Sequence, residues 1–199
     1  TFLKGKKNLQ MSFYVDIAAM VFGMPRALFP AIAVGLFPSD PRMAATAVGL
    51  LSAAPAVGAA VSSIFSGWLG HVRKQGIAIV LAIMAWGLTI AVFGLVASLP
   101  VACLMLALAG AADNVSAVFR STILQAATPD EYRGRLQGIF TVVVAGGPRL
   151  GDLESGTVAA LFGETFSVVS GGVLCIVTTL ALVAAVPTFL KYDAKHPVP

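Results

Sequence analysis

Charge is what this 199-residue chain has least of. Asp, Glu, Lys and Arg make up 11% of it, against about a quarter in a soluble domain. With 58% hydrophobic residues beside that scarcity, a water-soluble fold is excluded, because a chain of this size could not hide so much apolar surface. Histidine is limited to His71 and His196, and cysteine to Cys103 and Cys175. The cysteines lie inside apolar stretches without paired spacing, so neither a disulfide framework nor a thiolate metal site is expected. The histidines are isolated, and the chain predicts no cofactor and no metal. No Gly-x-x-x-x-Gly-Lys-Ser/Thr sequence occurs, so this segment has no phosphate-cradling loop for ATP hydrolysis. An intramembrane enzyme would need a nucleophile–base pair or a metal triad at depth, and no such set is visible, so the chain does not read as an enzyme. The formal charge of +4 does not point to nucleic acid, because the basic residues sit in short loops where they report topology.

Apolar length is what the chain has in abundance. Six stretches, 11–37, 44–69, 77–97, 100–124, 136–162 and 166–190, each exceed the ~20 residues that cross a hydrocarbon core. The expected fold is an all-α membrane protein: a six-helix transmembrane domain over 11–190, a cytoplasmic linker end at 1–10 and a cytoplasmic tail at 191–199. Ser39-Asp40-Pro41 offers an N-cap followed by Pro at the first helical position. Thr128-Pro129-Asp130-Glu131 predicts a capping box whose carboxylates complement the helix dipole. Gly163-Glu164-Thr165 and Ser98-Leu99-Pro100 predict tight turns between antiparallel helices.

Lys4, Lys6, Lys7, Arg73, Lys74, Arg133, Arg135, Lys191 and Lys195 fall on one side of these spans, and only Arg42 falls on the other. The positive-inside rule places both ends and the two basic loops in the cytoplasm, and an even number of spans requires both ends on one side. Residues 1–10 start at Thr1 and not at Met, and their lysines read as the end of a linker and not as a signal peptide. The expectation is the second half of a longer membrane protein.

Several charges nevertheless lie at membrane depth. Counting 1.5 Å per residue, Asp16 sits about one turn inside the cytoplasmic end of the first span and Arg120 about one turn inside that of the fourth. Arg26, Asp113 and Arg149 lie near the midplanes of the first, fourth and fifth spans. A central Arg or Asp costs roughly 2.5–3.5 kcal/mol on insertion scales, so such residues face a polar pathway or a partner. Arg149 and Asp152 are three apart and share a helical face, which predicts a pair; Glu154 points to a different side. Asp113 reads either as a transport residue or as an acceptor for Asn114, Ser116 or backbone. Pro25 and Pro30, with Gly23, predict a bend in the first span. Pro55 predicts one in the second, and Pro148 an interruption of the fifth. Such breaks expose carbonyls that protein or water must satisfy, and in transporters they lie at the site or the gate. The small residues over 49–60 predict a packing seam. The third span carries no charge, and it and the sixth are expected to face lipid.

Six helices behind a basic cytoplasmic entry resemble the C-terminal half of a major facilitator superfamily transporter. Gly67-Trp68-Leu69-Gly70-His71-Val72-Arg73-Lys74 sits where that superfamily repeats its Gly-x-Leu-x-Asp loop motif, with His71 at the acidic position. Asp113-Asn114 through Arg120, then Thr128 to Arg135, then Gly146 to Asp152, are similar to the subgroup made up of the bacterial enterobactin exporter and multidrug and macrolide efflux proteins. The resemblance implies two inverted three-helix repeats, corresponding to the seventh to twelfth spans of a full transporter in a bacterial cell membrane. It implies secondary active, proton-coupled efflux of a small molecule such as a drug or siderophore by alternating access, against the alternative of a non-transporting scaffold or partner subunit. The implied partners are that substrate, protons, the lipid bilayer and the N-terminal six-helix half of the same polypeptide, with no nucleic acid. Arg26, Asp113, Arg149 and Asp152 are then expected along the substrate or proton pathway. Asp113 or Asp152 would take up the proton, and Arg149 or Arg26 would set its pKa. Asp16, Arg120, Arg133 and Arg135 are expected at a cytoplasmic gate, where Asp16 and Arg120 form a gating or fold-holding pair.

Overall fold

Proline and glycine decide where the first span stops being a helix. In the computed structural model, which describes residues 6–126 and 128–192 apart from the Trp68 side chain, α1 (Lys7–Phe22) ends at Gly23, whose N–H returns to the Ala19 carbonyl at 2.8 Å. Pro25 has no N–H with which to continue the ladder. One 3-10 turn, Arg26–Leu28, bridges to α2 (Phe29–Leu36). Pro30 lies in the first turn of α2, where a missing N–H is tolerated, so it starts a helix and does not break one. Residues 1–5 with Lys4, and 193–199 with Lys195 and His196, lie outside the described residues.

The remaining elements are α3 (Pro41–Ile64), α4 (Gln75–Leu95), α5 (Leu99–Ala126), α6 (Asp130–Phe162) and α7 (Glu164–Ala185), with 3-10 turns at Ser66–His71 and Pro187–Lys191. No strand occurs among the described residues. Asp40 caps α3 as its sequence predicts, accepting from the amides of Arg42 and Met43 at 3.0 Å. Gly163 alone separates α6 from α7, at φ 89°, a left-handed conformation that favours glycine. The capping box at Thr128 does not form. Among the described residues no side chain caps α6, and the buried Thr128 hydroxyl has no partner there.

Pro55 and Pro148 lie inside continuous helices α3 and α6, so neither proline ends its helix and the interruption expected at Pro148 is absent. Each proline removes one backbone bond, but the turns on either side survive where a neighbouring helix holds the segment. Beside Pro55 that neighbour is α5. A Cβ on Gly110 would collide with the Pro55 carbonyl, and a Cβ on Gly58 with the Ala107 carbonyl. Only glycine lets α3 and α5 meet backbone to backbone, the close approach that drives helix association in lipid.

Five segments, the broken Lys7–Leu36 together with α3, α4, α5 and α7, are long and apolar enough to cross a membrane. At 33 residues α6 is longer than any of them, but it carries Arg149, Asp152 and Glu154 along its length. Charge sets it apart, not length. In the packing, α3 lies on α5, α5 on α4 and α4 on α7, while α1 rests against α6 and α7. The third span is therefore not a lipid-facing scaffold alone. α4 buries Ile79, Ile83, Trp86 and Ile90 and exposes one stripe, Leu81, Ala85, Leu88, Val92 and Leu95.

Candidate functional site

A cavity of ≈ 450 Å³ opens where four segments converge. The break in the first span supplies Arg26 and Phe29, α3 supplies Ser52, Pro55, Ala56 and Ala59, α4 supplies Trp86, and α5 supplies Gly110 and Asp113. The periodicity of α3 explains its double use. Ala47, Leu51, Ala54 and Gly58 are buried, forming the seam the sequence predicts, while the adjacent face turns small side chains to the cavity and leaves it room. Arg26 is exposed and has no ion pair among the described residues. The cavity thus displays an unpaired guanidinium and, on another helix, a carboxylate.

That carboxylate is not isolated. Asp113 Oδ1 lies 3.6 Å from Arg120, and the other guanidinium nitrogen of Arg120 contacts Asp16 Oδ1. Helical side chains lean toward the N-terminus, so Arg120, two turns beyond Asp113 on the same face of α5, reaches back to it. Burial is uneven: the Arg120 and Asp16 side chains are 5% and 2% exposed, and that of Asp113 is 42% exposed. One cation therefore serves two carboxylates, one enclosed between α1 and α5 and one open to the cavity. Asn114 and Ser116 do not hold Asp113. Asn114 donates to Ser62 on α3 at 3.2 Å, and the Ser116 hydroxyl is buried without a partner.

The profile of the Major Facilitator Superfamily matches residues 15–198. The chain belongs to the Major Facilitator Superfamily. It is 30% identical over 174 residues to the enterobactin exporter of Citrobacter koseri, covering 87% of this chain and 41% of that protein. It is 32% identical over 162 residues to the enterobactin exporters of Escherichia coli and Shigella boydii, covering 81% of this chain and 38% of each. The chain thus spans about two fifths of the length of these curated relatives. No solved structure matches it. This all-α superfamily segment fits one half of the superfamily's bundle and is of bacterial inner-membrane, multi-pass type.

The other candidate residues lie away from this cluster. Arg149 is exposed, has no ion pair among the described residues and does not line the cavity. Asp152 does not pair with it. Its Oδ1 accepts instead from the backbone N–H of Ala27 at 3.1 Å, because the turn after Pro25 presents an amide that its own helix cannot use. Arg133 pairs with Asp130 at 2.7 Å, one turn away, and donates to the Thr128 carbonyl at 3.3 Å. Arg135 is exposed. Neither arginine meets the Asp16–Arg120 pair. Glu154 is half-buried, with Oε2 unpartnered.

Trp86 escaped sequence reasoning. It is 6% exposed, lines the cavity and has a buried indole N–H without a partner among the described residues. The one available signal was a lone tryptophan in the charge-free third span.

Proposed function

We propose that this chain is one half of a secondary transporter that exports a small molecule, such as a siderophore or drug, by proton-coupled alternating access. The observation that carries the reading is the cavity wall at Asp113, where a half-exposed carboxylate shares Arg120 with the buried Asp16. Two carboxylates on one guanidinium leave the cluster with one net negative charge, and a single proton cancels it. Asp113 is the member that cavity water reaches. Protonation there removes its attraction for Arg120 and leaves the guanidinium wholly to Asp16, so a proton arriving in the cavity changes how α1 and α5 hold one another. Arg26 offers its unpaired cation to an anionic or polar group of the substrate, and Trp86 and Phe29 supply apolar faces. The relatives' name as exporters supports the direction of transport.

The distribution of Lys and Arg supports both ends in the cytoplasm, with an N-terminal six-helix half of the same polypeptide closing the cavity. A cysteine at Ser39 then labels from outside with a membrane-impermeant reagent, and one at the exposed Lys74 does not.

Reconstitution of the full-length protein in proteoliposomes tests the mechanism, with flux measured with and without an imposed pH gradient. Wild-type flux should follow the gradient, and Asp113→Asn should lose that dependence while still inserting normally. Gradient-driven flux that persists in Asp113→Asn removes Asp113 from the proton pathway.

A further inference from the structure

We infer that Gly151 and Asp152 of α6 brace both sides of the break in the first span, and that Asp152 is a positioning residue for Arg26. On the near side of the break, a Cβ on Gly151 would collide with the Met20 carbonyl oxygen, and one on Gly147 would meet the Met20 side chain. Gly147 and Gly151, four residues apart, are buried, and this pair receives the last turn of α1. On the far side, the next residue, Asp152, reaches past the break and takes the Ala27 N–H at 3.1 Å. The chain between cannot hold itself. Pro25 lacks an N–H group, and among the described residues the short turn closes through Leu28 N–H to the Pro25 carbonyl at 3.1 Å and the Phe29 N–H to the Arg26 carbonyl.

Arg26 stands immediately before the amide that Asp152 holds, so the brace fixes the backbone from which this cation enters the cavity. Arg149, one turn earlier on α6, is exposed and does not compete for the carboxylate. What the brace requires is an acceptor, not a negative charge, and an asparagine amide oxygen satisfies the same N–H.

This inference rests on the proposed role of Arg26, and the test separates the two. Hydrogen–deuterium exchange of the full-length protein in nanodiscs reads the brace without any transport. Asp152→Ala should speed exchange in the peptide spanning residues 23–36 about tenfold or more, as loss of a charge-assisted bond allows. Asp152→Asn should stay within about threefold of wild type. In flux assays Asp152→Ala should raise KM more than it lowers the maximal rate. Combined with Arg26→Gln, it should add nothing to the effect of Arg26→Gln alone. Unchanged exchange in Asp152→Ala overturns the brace. If Asp152→Ala fails to insert, Asp152→Asn decides alone: export and exchange near wild type uphold the inference, and a defect overturns it by showing that the charge is needed. Altered exchange in Asp152→Ala with normal transport by Arg26→Gln leaves the brace standing and overturns the role given to Arg26.

Discussion

Arg120 and Arg133 were both expected at one cytoplasmic gate, and the structure gives them opposite circumstances. Arg120 is 5% exposed between α1 and α5, held to Asp16 and Asp113. Arg133 is 54% exposed on the first turns of α6, and its partner Asp130 is 87% exposed. The ion-pair contact is similar in kind, but its surroundings fix its worth. Water and ions screen the Arg133 pair, and holding two mobile side chains together costs about what the attraction returns. Asp16 is enclosed, 2% exposed, so removing Arg120 leaves a buried carboxylate with nothing to neutralise it.

The sharpest way to break this contrast is Arg120→Met. It strands two carboxylates, one of them fully enclosed, and should destabilise the protein by roughly 3–5 kcal/mol, read as a large fall in detergent melting temperature or in folded yield. If Arg120→Met melts like wild type, the cluster is not structural. Arg120→Lys refines the same point: an ammonium keeps the charge but lacks the planar fork that spans two acceptors. An intermediate loss of about 1.5–3 kcal/mol, the worth of a hydrogen bond to a charged group, is expected in the same melting experiment. Arg133→Ala should cost no more than ~1 kcal/mol, with flux unchanged within error. The smallest expected difference concerns salt. Raising ionic strength from about 0.1 M to 1 M shortens the screening length from roughly 10 to 3 Å. That change should shrink even the Arg133→Ala effect and leave the Arg120→Met effect in place.

The number and limits of the helices were largely legible, because apolar length and loop charge are properties of the chain itself. The Asp16–Arg120 contact followed from matched depth on two helices. Its extension to Asp113 did not, because counting depth from Cα positions ignores an arginine side chain that leans back along its own helix. Pro55 and Pro148 were misleading for a different reason: a proline reports one lost backbone bond, and whether the helix then ends is decided by its neighbours. Only at Pro25, with Gly23 beside it, does the ladder stop. The placement of α4 was illegible in principle. Lipid tails are as apolar as a protein interior, so a charge-free helix is equally suited to the centre and the rim. The charges expected at depth in α6 do not sit together. Arg149 lies outside the cavity, and Asp152 spends its carboxylate on a backbone amide of the first span.

The glycine contacts of the bundle also bear on its mechanics. Gly58 and Gly110 join α3 to α5, and Gly87 and Gly172 bring α4 and α7 together in the same way; α5 packs broadly on α4 between them. Helices locked through their backbones have little freedom to slide, so α3, α5, α4 and α7 form a slab with few internal degrees of freedom. The contact between α5 and α6 is slight by comparison. Any rearrangement within this segment then has its compliant joint on the α6 side of α5, while the slab moves as a unit.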